Sequence, residues 1–284
     1  MTNDASLVPR RFLLRTAAVL GAAVTARLLT ADPTAEPGGA APSGGPPPAA
    51  SGPGAAVPAR PDHRLRPLAG YGAPEAARRL PTPVRTRPIL RMAGAAHPMV
   101  LTFDDGPDPR YTPPVLDLLR RHHVRASFFV CGEMAETQGG LLRRMVDEGH
   151  VIGNHSWSHP LLTRASTAVV RAELERTSEA VERAVGQPPQ WMRAPYGAWN
   201  RRVFRLGAEL GMDAFAWTVD SLDWKEPGTR TIIDQVLNGA GPGVIVLAHD
   251  AGGDRSQTVA ALRTYLPRLL ADGHRFTVPV RGEV

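Results

Sequence analysis

From residue 98 onward the sequence predicts an α/β fold, with seven parallel strands joined by helices in right-handed crossovers to form a sheet or barrel. Three observations carry that reading. Apolar β-type runs alternate with stretches of helical period, turn residues mark their boundaries, and the chemically capable side chains follow the ends of the runs.

Taken in order, Pro98–Phe103 reads as the first strand, and Pro113–His123 as a helix whose apolar face is Val115, Leu116, Leu118 and Leu119. Ala126–Val130 is the second strand, followed by a helix over Gly140–Glu148. Val151-Ile152 makes a short third strand ahead of a helix over Thr167–Val185. A strand near Trp191 leads to a helix over Arg201–Leu210, which Gly211 ends. Ala214–Val219 is the fifth strand and Thr229–Leu237 the helix after it. Val244–Leu247 is the sixth, Gln257–Ala271 the last helix, and Phe276–Val278 the seventh strand.

The N-terminal third has a different texture. The 284 residues carry 33 Lys+Arg against 27 Asp+Glu, but residues 1–96 hold 12 of those basic groups and only 5 of the acids. The remainder is close to neutral, which argues against nucleic acid as a partner, since such binders carry their basic stripe on the folded domain. The single cysteine, Cys131, excludes an intramolecular disulfide and a Cys-based zinc finger.

Residues 1–31 read as an export signal or short anchor. Arg10-Arg11 precedes Phe12-Leu13-Leu14 and an apolar run from Thr16 to Ala26, the pattern of the twin-arginine route. Arg27 stops that run well short of the ~20 residues that span a bilayer. Residues 32–95 read as a Pro/Gly/Ala-rich disordered linker and basic strap: Asp32–Arg60 alone contains 8 Pro, 6 Gly and 8 Ala, too little side chain to offset its ordering entropy. Residues 96–284 form the folded domain. The expected setting is extracytoplasmic, secreted or associated with a cell wall. Membrane contact is expected only through an uncleaved N-terminus, and the chain is expected to be monomeric.

The chemistry-bearing residues gather after the strands. Asp104-Asp105 follow the first, Asn154, His155 and His159 the third, and Arg193 with Tyr196 the fourth. Asp220 and Asp223 follow the fifth, and His249-Asp250 the sixth. In parallel α/β folds that edge is where loops converge and sites form. His155 and His159 at i,i+4, with one carboxylate, make a three-ligand site that leaves a position for water, the usual arrangement for catalytic zinc. Adjacent Asp side chains diverge, so one can ligate a metal while the other serves as a base. Arg193 suits pairing with that base, and His249 suits protonating a leaving group. Together these form a layout for metal-assisted hydrolysis.

These stretches also carry a resemblance. Thr102-Phe103-Asp104-Asp105-Gly106, His155-Ser156-Trp157-Ser158-His159, Arg193-Ala194-Pro195-Tyr196, Asp220-Ser221-Leu222-Asp223-Trp224 and Leu247-Ala248-His249 occur in that order. They resemble the five motifs of the polysaccharide deacetylases, the NodB-homology or carbohydrate esterase family 4 group. The match spans about Pro98 to Val278.

The resemblance implies a distorted, partly open (β/α)7 barrel with parallel strands and one divalent metal ion, zinc first, with cobalt or another divalent ion as alternatives. It implies that Asp105, His155 and His159 bind the metal, that Asp104 is the general base, and that His249 is the general acid. Arg193 would orient Asp104, Asp220 would tune His249, and the Tyr196 N–H would stabilise the oxyanion. Trp224 and Leu247 would wall the acetyl pocket, with Pro195 and Tyr196 also against substrate. Ala194 departs from the family, where Pro is frequent, and removes no functional group.

The implied reaction is N-deacetylation of amino sugars in an extracellular polysaccharide, peptidoglycan or chitin-type oligosaccharides. An O-deacetylase of acetylated xylan and a catalytically inert wall-binding module are the competing expectations. Among the remaining residues, Trp199 is the best candidate for sugar stacking. Asp223 is expected to be mainly structural, Asp250 to support a loop, and Cys131 to be a buried small residue.

Overall fold

The computed structural model describes residues 82–93 and 98–282, so the expected export signal and the Pro-rich tether lie outside the described residues.

Seven strands form one sheet, all paired in parallel: β1 (Val100–Asp104), β2 (Ser127–Val130), β3 (Val151–Asn154), β4 (Trp191–Met192), β5 (Asp213–Ala214), β6 (Val219–Asp220) and β7 (Ile245–His249). The spatial order is β5-β4-β3-β2-β1-β7-β6. Helices α1 (Thr112–Arg121), α2 (Gly132–Thr137), α3 (Gly139–Asp147), α4 (Thr167–Val185), α5 (Arg201–Glu209), α6 (Thr229–Gly239) and α7 (Ser256–Ala271) connect them. The result is the curled, partly open (β/α)7 arrangement. No described helix is long and apolar enough to cross a membrane.

Helix boundaries follow local chemistry. α1 begins on Pro113 and Pro114, whose fixed φ and missing N–H cost nothing in a first turn, and it ends on Arg120-Arg121 against the negative end of the dipole. The Ser166 hydroxyl caps α4 by accepting from Val169 N, and Gly186 closes it in the left-handed region. Asn200 caps α5 by accepting from Val203 N at 3.0 Å. The sequence reading lacks α2, a single six-residue element without a readable period.

Strand alternation divides the core. Leu101 and Phe103 of β1 pack outward in the large cluster with Leu116, Leu119, Leu262 and Leu266. Val100 turns inward to Phe129, Trp191, Phe215 and Ile245. Thr102 lies on the inward side too and, like Asp104, bonds the buried Arg193.

The fifth and seventh expected strands are corrected. Ala214–Val219 is not one strand: it splits into β5 and β6, which end on opposite edges of the sheet. In the connection between them, Phe215 O and Ala216 O are taken by the Arg193 guanidinium and not by a neighbouring strand of the sheet. Phe276–Val278 makes one isolated bridge, Met99 to Phe276, and no sheet strand.

Within the described residues, 82–93 pack against the sheet as a strap. Ile89 and Met92 are buried, Ile89 N donates to Ala214 O and Ala216 N to Ile89 O, both at 2.8 Å, and Arg85 pairs both oxygens of Asp213.

Candidate active site

Register brings the site together. Asp104, the last residue of β1, lies directly beside His249, the last of β7, while Asn154 at the end of β3 lies beside Met192 of β4. Four strand ends therefore hand over Asp104-Asp105, His155, Arg193 and His249 at one edge of the sheet.

Asp105, His155 and His159 converge. Their candidate ligand atoms lie within 4.8 Å of one another, with Asp105 Oδ1 at 3.5 Å from His155 Nε2 and 3.4 Å from His159 Nε2. His155 Nδ1 donates to Arg193 O at 2.7 Å, which leaves Nε2 with its lone pair pointing at the carboxylate. Burial, only partly offset by Asp105, pushes the His155 pKa down to about 3, so the ring stays neutral. Asp105 Oδ1 is buried and accepts no hydrogen bond. An imidazole lone pair facing a carboxylate oxygen at this range is repulsive alone and attractive around a cation. The donor set, two imidazole nitrogens and one carboxylate with room for further ligands, fits a divalent metal.

The loop carrying both histidines is a tight turn, with Ser156 and His159 at positive φ (66° and 57°). It is braced by Glu173 of α4, whose carboxylate accepts from Trp157 N, Ser158 N and Ser158 Oγ at 2.8–2.9 Å. Asn154 Oδ1 also accepts from Ser156 N at 2.8 Å. On the other side, Asp105 sits at φ 73° against Gly252, where a Cβ would come within 2.3 Å of Asp105 Oδ2. Only glycine allows that approach.

Asp104 turns one oxygen, Oδ1, onto Arg193. The guanidinium is fully buried, donating to Asp104 Oδ1 at 2.6 Å, Thr102 Oγ1 at 2.8 Å, Phe215 O at 3.2 Å and Ala216 O at 2.8 Å. Its carbon lies 4.1 Å from the Phe129 ring centroid. Burial raises the Asp104 pKa above its ordinary value, opposed by the Arg193 charge. Asp104 Oδ2 stays 3.6 Å from His155 Nε2.

The partner of His249 is the one correction at the site. Asp223, not Asp220, holds the ring: Asp223 Oδ1 lies 2.7 Å from His249 Nδ1, and Asp223 Oδ2 accepts from His249 N and Thr258 Oγ1, each at 2.8 Å. Asp220 instead accepts from Leu222 N at 2.8 Å and Trp224 Nε1 at 3.4 Å, shaping its own turn. The cause is the backbone. Leu222 takes the left-handed conformation (φ 60°), and the following 3-10 turn, Asp223–Lys225, directs the second carboxylate inward. Burial opposes charge on His249, but the Asp223 hydrogen bond and charge outweigh it and push the pKa up to about 9.

Other expected residues fall as follows. Tyr196 has φ 62° and is exposed, with its ring centroid 4.6 Å from that of His159, while Pro195 beside it is buried. Leu247 is buried one pleat below His249 on the same face of β7. Trp224 is half exposed and held by Asp220, with Lys225 Nζ 4.8 Å from its ring centroid. Cys131 is buried. The sequence reading missed Glu173 and also Arg255, whose buried guanidinium donates to the carbonyls of Ala251, Gly252 and Asp223 and so ties two loops of the site together.

Comparison with known proteins agrees with this geometry. The polysaccharide deacetylase family model matches residues 92–215. The chain is 45% identical over 185 residues to a chitooligosaccharide deacetylase of Bradyrhizobium sp. (strain ANU 289), covering 61% of this chain and 84% of that one. It is 40% identical over 224 residues to a peptidoglycan-N-acetylglucosamine deacetylase of Listeria monocytogenes, covering 79% of this chain but spanning 46% of the relative. Among solved structures, the Bc1960 peptidoglycan N-acetylglucosamine deacetylase superposes with a TM-score of 0.64 at 37% identity, over 66% of this chain and 88% of that one. With its strand-end carboxylates and histidines in the motif order of that group, the chain belongs to the polysaccharide deacetylase family.

Proposed function

We propose that this chain is a hydrolase that removes N-acetyl groups from amino sugars of a cell-wall polysaccharide. The observation that carries the reading is the division between two adjacent carboxylates. Asp105 faces two imidazole nitrogens, while Asp104 faces a buried guanidinium, with an Asp-held imidazole on the neighbouring strand.

Asp105, His155 and His159 would hold a divalent cation, zinc by donor preference, which when bound would supply Lewis-acid polarisation of the acetamide carbonyl and of a water. Asp104 accepts the proton of the attacking water, and Arg193 keeps it ionised and aimed. The Tyr196 N–H donates to the developing oxyanion. His249, charged at neutral pH through Asp223, protonates the departing amine as the C–N bond breaks, leaving acetate and a free amine. Leu247 and Trp224 line the acetyl side.

Peptidoglycan is the first substrate and chitin-type oligosaccharide the second, as the names of the relatives suggest. Export fits Arg10-Arg11 and the apolar run after it, and the Pro/Gly/Ala-rich stretch suits a tether. The test is acetate release by the full chain from peptidoglycan, chito-oligosaccharides and acetylated xylan, each with and without chelator. Chelator-sensitive release from an N-acetylated polymer supports the proposal. Release from xylan alone, or from none with zinc or cobalt restored, overturns it.

A further inference from the structure

Beside the site lies a groove that none of the chemistry above uses. It encloses about 680 Å³ between the strap (Val84 to Pro88) and the segment from Trp199 to Phe204, within the roughly 300–1,000 Å³ typical of ligand clefts. Its aromatic part is built, since Trp199 and Phe204 stack at 5.0 Å with planes 12° apart. Phe204 is nearly covered whereas Trp199 keeps exposed surface.

Both walls are fixed. The bidentate Arg85–Asp213 pair ties down the strap. Asn200 anchors the opposite wall, its side-chain amide donating to Thr163 O and its Oδ1 capping α5. A groove already held open spends little of its binding energy on ordering.

The charge on this groove is one-sided. Arg85, Arg87 and Arg201 line it and no acidic side chain does. Asp213 occupies Arg85, but Arg87 and Arg201 are exposed and have no carboxylate partner among the described residues. Two free guanidiniums beside an aromatic face suit a glycan that carries carboxylates: the ring packs on the sugar face and the forks take the acid. The loop from Ala194 to Asn200 joins the two places directly. Tyr196, whose ring touches His159, is three residues from Trp199, at most about 10 Å of chain. A short oligosaccharide spans that.

We propose that this groove is an extension of the deacetylase site that binds the carboxylate-bearing part of an anionic glycan, and so selects peptidoglycan over neutral chitin-type chains. The proposal rests on the deacetylase reading for its link to turnover, and its test reads binding separately. Three probes are compared by calorimetry with the full chain: glycan strands stripped of peptide, which keep the lactyl carboxylate, the same strands with peptide stems, and neutral N-acetylglucosamine oligomers of equal length. The variant is Arg87→Gln/Arg201→Gln, both positions on the surface.

Wild-type protein is expected to bind an anionic probe about tenfold more tightly than the neutral one, with the gap shrinking as salt rises and closing in the double variant. A gap with the stripped strands alone assigns the lactyl carboxylate, which the stem's amide bond removes; a gap with stemmed strands alone assigns the peptide's acids, and a gap with both shows that the groove takes a carboxylate from either source. Equal binding of all three by the wild type, or a preference that survives in the double variant, overturns the proposal. Acetate release measured on the same samples separates the two claims. Preference without release sinks the deacetylase reading, and release without preference sinks the groove.

Discussion

Asp223 grips His249 at two points, carboxylate to ring nitrogen at 2.7 Å and carboxylate to backbone N–H at 2.8 Å. A side chain held at both its backbone and its ring has lost the freedom to turn away, so the Asp223 turn fixes where the His249 ring points. Thr258 donates to the same carboxylate and Arg255 to the Asp223 carbonyl, so a residue from α7 and the residue before it lock the turn from below.

A pH profile reads this pair. His249 is protonated below a pKa of about 9, so a reaction needing the charged ring falls off as pH rises through that value. The contribution of the pair to stability is present in full below the unfolded-state histidine pKa, and it is lost on the same alkaline side. In Asp223→Asn the raising charge goes while burial remains, so the alkaline limb of kcat/KM is expected to move more than ~1 unit toward acid. Asp220→Asn is expected to leave that limb in place. A limb that follows Asp220 instead contradicts the assignment.

Arg193 is predicted to matter for folding as much as for activity. Replacing it with Met strands the buried Asp104 carboxylate and two carbonyls, Phe215 O and Ala216 O. The expected loss is about 3–5 kcal/mol by chemical denaturation, the range for removing one partner of a buried ion pair. A loss under ~1 kcal/mol would mean that water reaches the guanidinium.

Cation binding is expected to stabilise the fold. The three candidate ligands come from the residue after β1 and from the loop after β3, so a bound cation would tie two parts of the chain together. Adding zinc to chelator-treated protein is expected to raise the melting temperature, by an amount that grows with concentration. His155→Ala, His159→Ala and Asp105→Ala each are expected to remove that shift. A shift that persists in all three places the cation elsewhere.

Glu173 offers an independent check on the histidine loop. Its carboxylate takes three donors from Trp157 and Ser158, so Glu173→Ala frees the turn without touching a ligand. Zinc affinity is expected to fall about 10–100-fold, as it does when outer supports of metal sites are removed. Titration of zinc against a competing chelator measures it, and unchanged affinity would show that the turn holds itself.

Much of this was readable from sequence because local chemistry and fold agree. Pro113-Pro114, Ser166, Gly186 and Asn200 mark helix ends by their own bonding, and apolar runs mark the strands. What escaped depends on backbone twist or on distant partners. Asp220 and Asp223 sit in one motif three residues apart, and the left-handed turn at Leu222 that selects the second is open to any short run of this kind. The stretch after Asp213 has strand-like composition throughout, yet its carbonyls are claimed by Arg193 from β4's loop. Which part of the basic segment packs on the sheet was not readable, because among the described residues 82–93 only Ile89 and Met92 are buried apolar side chains in a Pro- and Arg-rich run.

The central claim is the division of labour between Asp104 and Asp105, and one paired measurement tests it. Zinc content and acetate release are determined on the same preparations of wild type, Asp104→Asn and Asp105→Ala. Asp104→Asn is expected to keep its zinc and lose about 10²–10⁴ in turnover, whereas Asp105→Ala loses both. An Asp104→Asn protein that releases acetate at the wild-type rate, or one that no longer holds zinc, would contradict the account.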